Sequence, residues 1–225
     1  VTDTSVYVLF KIVGKEDEYF AAWTTTPWTL PGNVALAVGK DITYTKVFVS
    51  GKWIWLAKER IEAVFPGAPA EEEKKGAKLV GIAYEPLFPY LKDSISDAEK
   101  DKMANAYKVY AADFVGADDG TGIVHTAVMY GADDFDLGTK VGLPKYHLVN
   151  EEGKFIDAVR DFAGIFVKDA DPAIITALGE KVLRTEEITH SYPHCWRCKR
   201  PLIYYARDSW YIRMSELRSA LLKEN

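Results

Sequence analysis

The sequence predicts an α+β fold, strand-rich at its start, helical late, with a basic tail. Three observations carry this reading. Residues 1–57 are dense in β-branched and aromatic side chains broken by short turns. Apolar residues three and four apart are clearest only beyond Gly131. The composition then shifts near residue 185, which divides the chain into a body, 1–185, and a C-terminal arm, 186–225.

Taken in order, Ser5 to Val13 and Glu18 to Thr25 read as strands joined by the turn Gly14-Lys15-Glu16-Asp17. Asn33 to Val38, Thr43 to Ser50 and Lys52 to Ala57 continue the pattern, and residues 58–64 suit a short helix ended by Phe65-Pro66-Gly67. Ala68 to Lys78 is charged and Ala-rich, which fits a short helix or an exposed loop. Leu79 to Tyr84, Tyr107 to Val115 and Gly122 to Thr126 are strand-like. Glu85-Pro86-Leu87-Phe88-Pro89-Tyr90 between them is a stiff aromatic wall. Helices are expected at Gly131 to Val141, at Asp171 to Leu183 with Asp171 as N-cap before Pro172, and from Ser215 onward.

Composition bounds the function. The chain's 225 residues, 48% hydrophobic and 27% charged, are enough to bury a full core. No apolar run approaches the roughly 20 residues of a membrane span. No signal peptide is expected at Val1 to Phe10, and the missing initiator Met suggests a piece of something longer. Cys195 and Cys198 are too few for a disulfide framework and fit a reducing, cytoplasmic setting. The net charge of −5 divides into +4 over residues 190–225 and −9 elsewhere. The acidic bulk argues against a module that binds nucleic acid by charge alone.

Two runs carry the chemistry. In Thr24-Thr25-Thr26-Pro27-Trp28-Thr29-Leu30-Pro31-Gly32-Asn33, four hydroxyls and a carboxamide fall where a strand breaks open at a proline. In Gly120-Thr121-Gly122-Ile123-Val124-His125-Thr126-Ala127, two glycines permit close approach of backbone, and Gly131 leads on to Asp133-Asp134 at a helix start. The dipole there favours a carboxylate, so Asp134 is expected to stay ionised and to suit a primary ammonium. Taken singly, each run also has a plain reading. The threonines suit a turn bonding its own backbone, and the acids suit simple helix caps beside a core histidine.

Together, these runs resemble the editing domain of isoleucyl-tRNA synthetase, the long insertion in the class I catalytic fold that removes wrongly attached valine. The likeness extends through Tyr84-Glu85-Pro86-Leu87-Phe88 and through His190-Ser191-Tyr192-Pro193-His194-Cys195-Trp196-Arg197-Cys198, covering nearly the whole chain. The related valyl and leucyl enzymes usually carry Arg where Thr26 stands, so valyl-type editing of threonine is the runner-up, beside a non-catalytic module that holds a tRNA end. The sequence departs from the family's pattern at Val128, where Pro often follows the His-x-Ala triplet, but the His125 to Asp134 spacing is intact.

The resemblance implies a β-barrel-like α+β editing domain with peripheral helices, whose arm rejoins a catalytic domain. It implies that Thr24, Thr25 and Thr26 surround the terminal ribose and scissile ester, with Thr29 and Asn33 shaping the floor and Trp28 and Gly122 adding to the substrate site. Asp134 would bind the α-ammonium, and His125 would meet the side-chain end and help exclude isoleucine. The implied partners are the acceptor end of tRNA(Ile), valyl adenylate and the rest of the synthetase, with a monomeric chain and no membrane. No cofactor is expected in these residues, which lack ATP-binding signatures. Cys195-Trp196-Arg197-Cys198 has metal-ligand spacing but only two donors; it fits half of a zinc site completed in the parent enzyme, or a cramped local site with His190 and His194.

Overall fold

A computed structural model describes residues 1–224. Among the described residues, nine strands form two open sheets. The six-stranded sheet contains β1 (Thr2–Lys11), β2 (Glu18–Thr24), β4 (Thr43–Val49), β5 (Lys52–Ala57), β6 (Glu72–Lys75) and β9 (Val182–Thr189), ordered β6-β4-β5-β2-β1-β9. The second sheet places β3 (Ala35–Val38) between β7 (Lys108–Ala111) and β8 (Ile123–Thr126). The α-helices are α1 (Ile61–Val64), α2 (Tyr90–Ser94), α3 (Ala132–Val141), α4 (Val167–Leu178) and α5 (Met214–Glu224). The α+β class is as expected. Neither sheet closes on itself; single bridges, Ile12 to Tyr84 and Ala83 to Lys108, link them at one corner.

The larger sheet is apolar on both faces, and its period-2 alternation sorts residues between two cores. From β1, Val6, Val8 and Phe10 enter the main core while Tyr7 and Leu9 enter a smaller one. Phe20 and Ala22 divide from Ala21 in the same way, as do Trp55 and Ala57 from Ile54 and Leu56. The small sheet closes the main core with Leu36, Val38, Val109 and Ile123, and α4 adds Val167, Ala170, Ile174 and Leu178. That i, i+3, i+7, i+11 stripe is why α4 begins before the expected N-cap: burying Val167 and Ala170 outweighs the local Asp171-Pro172 signal. Asp171 lies within the helix, where its carboxylate faces the backbone N–H of Trp28 and burial pushes its pKa up to about 7.

Two other expected elements differ. Within 68–78, residues Glu72–Lys75 form edge strand β6 rather than a helix or loop. Its charges suit an exposed edge: Glu72 takes Lys46 at 2.8 Å and Lys74 at 2.7 Å, which together hold its carboxyl down at about 2. Leu79 to Tyr84 forms no strand beyond the single bridges above, because Tyr84 serves as the corner between sheets. β9 runs across residue 185/186 and pairs with β1 from Val182 to Thr189, so the expected boundary between body and arm falls inside a sheet strand. Among the described residues, no helix is long and apolar enough to cross a membrane.

The glycine loop before β8 lies hard against the large sheet. Gly120 (φ +55°) and Gly122 (φ +72°) are in the left-handed region; a Cβ on Gly122 would come within 2.4 Å of the Ala57 Cβ. Gly122→Ala is therefore expected to destabilise the chain by about 1–3 kcal/mol or more, from backbone strain and overlap combined, read as a lowered denaturation midpoint. A midpoint equal to wild type contradicts the close packing.

Candidate active site

The threonine run folds as its prolines require. β2 ends at Thr24, Thr26 sits outside the helical region (φ −129°, ψ 73°), and Pro27 opens a 3₁₀ turn, Pro27–Gly32. Three residues per turn put Thr26 and Thr29 on one side and Trp28 on another. The hydroxyls link laterally: Thr24 Oγ1 to Thr26 Oγ1 at 3.2 Å, and Thr26 Oγ1 to Thr29 Oγ1 at 3.4 Å. Thr24 Oγ1 also accepts the Thr26 N–H at 3.1 Å, and Thr29 Oγ1 donates to the Thr26 carbonyl at 2.8 Å.

That last bond orders a longer relay. With its proton directed at Thr26, Thr29 Oγ1 must accept from His125 Nε2, 2.8 Å away. The imidazole is thus the Nε2–H tautomer, and Nδ1 accepts from Asn33 Nδ2 at 3.4 Å. Asn33 Nδ2 also donates to the Ala35 carbonyl at 3.0 Å, and Tyr84 O–H donates to Asn33 Oδ1 at 2.7 Å, fixing the amide's orientation. Burial lowers the His125 pKa to about 4, so the ring is neutral near pH 7. Both its nitrogens are engaged, and no lone pair is left to serve as a base.

Asp134 approaches from α3. Its carboxylate folds back over Gly131, where a Cβ would lie 2.8 Å from Oδ2, and it accepts the Ala127 N–H at 3.3 Å. Burial raises its pKa to about 6, against the pull of that N–H. The helix start therefore does not hold the pKa down as the dipole argument expected; desolvation wins, although the group remains mostly ionised at neutral pH.

One cleft of about 490 Å³ is lined by Thr24, Thr25, Thr26, Thr29, Gly122, His125 and Asp134 together. Two expected contributors lie elsewhere. Trp28 is buried one layer behind, its ring edge-on to Tyr130 at 5.2 Å, because the 3₁₀ turn points it into the core. Asn33 is buried behind His125 and reaches the cleft only through it. Sequence reading missed Trp23, Tyr130, Asp118 and Asp119, which also line the cleft; only the acidic, glycine-flanked stretch 116–120 offered a signal. A larger groove of about 1160 Å³, between Met129–Phe135 and arm residues Tyr204–Tyr211, holds none of the threonines, His125 or Asp134.

The arm's cysteines form a tight turn: Cys195 N–H bonds the Arg200 carbonyl at 2.8 Å and the Lys199 N–H bonds the Cys195 carbonyl at 2.8 Å. The backbone N–H groups of Cys198 and Arg197, with the Cys198 thiol, lower the Cys195 pKa. These two donors suit a soft metal, but among the described residues no cluster of three or more ligating side chains exists, so they do not make a four-coordinate site by themselves.

The ordering of the relay is checked by imidazole ¹⁵N chemical shifts, which are expected to report His125 as the Nε2–H tautomer. Tyr84→Phe leaves Asn33 Oδ1 a buried acceptor without its donor and is expected to cost about 1–3 kcal/mol while disturbing those shifts. An Nδ1–H tautomer in the wild type contradicts the relay.

Over its whole length the chain is 47% identical to the isoleucine–tRNA ligase of Clostridium acetobutylicum, of which it spans 21%. It is 43% identical over 99% of its length to that of Pyrococcus furiosus, spanning 22%. No family model matches. Among solved structures, GlLeuRS-CP1 superposes with a TM-score of 0.59 at 15% identity, covering 84% of this chain and 100% of that one, a likeness of fold alone. The identities to isoleucine–tRNA ligases over the whole chain show that it belongs to that family, as a segment about one-fifth the length of these relatives.

Proposed function

We propose that the cleft is a hydrolytic editing site that cleaves valine from mischarged tRNA(Ile) and from valyl adenylate. The observation that carries this reading is the convergence of Thr24–Thr26, Thr29, His125 and Asp134 on one cleft from three separate stretches of sequence. A carboxylate beside a row of hydroxyls matches a substrate with an ammonium next to an ester. Asp134 binds the α-ammonium by a charge-assisted hydrogen bond, and Thr24, Thr25 and Thr26 orient the ribose and the scissile carbonyl.

The need for such a site follows from a limit on discrimination. A methylene is worth only about 1–3 kcal/mol in an apolar pocket, a limit for which this synthetase family is itself the standard illustration. A second cleft that admits valine and rejects isoleucine multiplies that ratio. His125, held rigid by the relay, suits the part of a fixed wall at the side-chain end.

The chemistry is water attack on the ester. His125 is neutral with both nitrogens engaged, and the cysteines lie in the arm, so neither a His-activated hydroxyl nor a thiolate is available for a covalent intermediate. Binding, orientation and the donors around the developing oxyanion then supply the rate, with the substrate's own ribose hydroxyl helping to orient the attacking water. The arm would lead toward the rest of the ligase, where Cys195 and Cys198 would hold zinc given two further donors. A cytoplasmic setting and tRNA as partner follow from the same reading.

Asp134→Asn is expected to lower kcat/KM for valyl-tRNA(Ile) by about 10- to 100-fold, the worth of a charge-assisted hydrogen bond, measured by deacylation. Wild-type hydrolysis by that variant, or wild-type hydrolysis of isoleucyl-tRNA as fast as valyl-tRNA, sinks the assignment. Because the anchor must be ionised, kcat/KM is also expected to fall as pH drops below about 6, approaching tenfold per unit.

A further inference from the structure

A second wall of the cleft is the loop Asp118–Gly122, and the protein holds each of its five consecutive carbonyls. Asp118 O accepts from Arg60 Nη1 at 2.8 Å and Gly120 O from Arg60 Nε at 3.0 Å. Between them, Asp119 O accepts the Gly122 N–H at 3.3 Å. Beyond them, Thr121 O accepts the Ala57 N–H at 2.8 Å and Gly122 O accepts the Tyr44 O–H at 2.7 Å. Tyr44 is anchored in turn by the Gly39 N–H at 3.0 Å.

Four of those carbonyls are met from β4, β5 or the turn after β5, so this wall is hung on the large sheet. Thr121 and Gly122 are tied by buried groups inside the main core. Asp118 and Gly120 are tied by one side chain. A loop with two left-handed glycines and two acids has little intrinsic preference for one shape. The forked guanidinium fixes two alternate carbonyls at once, which a single-point donor does not do. It also sets the gap between the acids and the threonine run, since Gly120 rests on the Trp23 ring at the end of β2: a Cβ there would lie 2.8 Å from Trp23 Cε3.

We propose that Arg60, outside the cleft, is a positioning residue that fixes the Asp118–Gly122 wall and so sets the cleft's width, and with it the rejection of the larger amino acid. This deepens the editing reading and rests on it for the substrate, but the clamp itself is testable without catalysis. With the clamp gone the loop loosens at Asp118–Gly120, and with it the Gly122 N–H that bonds the Asp119 carbonyl, while the Thr121 and Gly122 carbonyls keep their own donors.

The test compares Arg60→Gln and Arg60→Lys with wild type in this chain, using valyl- and isoleucyl-tRNA(Ile) deacylation, amide hydrogen exchange and thermal unfolding. Arg60→Gln is expected to exchange faster over residues 118–122 with little change elsewhere. It is expected to lose about tenfold in kcat on valyl-tRNA, since displacements near 1 Å cost up to about 100-fold, and to narrow the valyl-to-isoleucyl ratio. Arg60→Lys, with one point donor, should fall between. Unchanged exchange over 118–122 in a folded Arg60→Gln protein overturns the clamp whatever the activity. Faster exchange there with an unaltered valyl-to-isoleucyl ratio overturns the role in selectivity. If Arg60→Gln unfolds, Arg60→Lys decides by the same two readings. Wild-type protein that hydrolyses neither substrate defeats the editing reading instead, leaving the exchange result to judge the clamp.

Discussion

The arrangement of the site depends on one chain of hydrogen bonds, Tyr84 to Asn33 to His125 to Thr29 to Thr26. Its members come from the corner between the sheets, the entry to β3, strand β8 and the 3₁₀ turn after β2. The Thr29 hydroxyl proton goes to the Thr26 carbonyl, so His125 Nε2–H donates to Thr29 and the Asn33 amide donates to His125 Nδ1 as well as to the Ala35 carbonyl. A buried polar network of this kind is stable only when complete, because an orphaned member costs more than the pair contributed. The relay thus makes the position of the threonine loop relative to β8 close to all-or-none. It also makes His125 a rigid, neutral surface instead of a titrating one.

The two titratable groups nearest the relay affect stability in opposite directions. His125 has a folded pKa of about 4, below its ordinary 6.5, so between those values the unfolded chain binds more protons, and stability is lost as pH falls through that window. Asp134 has a folded pKa of about 6, above its ordinary 3.8, so there the folded chain binds more protons, and stability is lost as pH rises. Over the shared interval the two slopes offset each other. At neutral pH the histidine sits in its preferred form while Asp134 is held ionised against its environment. A destabilised charge of that kind, with a cleft in front of it, fits a group whose counter-ion arrives with the ligand.

Much of this was legible in the sequence where local chemistry and tertiary packing agree. The strands of residues 1–57 were readable because their β-branched and aromatic residues fill two cores on opposite faces. The break at Thr24 was readable because Pro27 cannot continue a ladder. Where the two disagree, local signals misled. Asp171-Pro172 looks like a helix start, yet α4 begins at Val167 because its apolar stripe does. Glu72–Lys75 looks like helix or loop, yet it pairs with β4 as a charged edge. Trp28, grouped with the site by its neighbours, turns inward by the geometry of a 3₁₀ turn. Arg60 left no trace at all: a lone arginine after a strand says nothing of carbonyls some sixty residues away.

These placements explain why the cleft is built mostly of small, uncharged groups. Its two walls, the threonine turn and the Asp118–Gly122 loop, are each fixed by bonds running away from the cleft, into the relay on one side and into the large sheet on the other. Cleft-lining side chains take part in the bracing too: Thr24 holds the Thr26 N–H, Thr29 the Thr26 carbonyl and Asp134 the Ala127 N–H, so they are themselves fixed. On the editing reading proposed above, selecting between substrates that differ by one methylene would use that rigidity. An apolar wall that yields by a few tenths of an ångström admits the larger ligand at little cost, whereas one braced from behind by directional bonds turns the same contact into repulsion. The discrimination, on this view, resides less in what touches the substrate than in what stops those groups from moving.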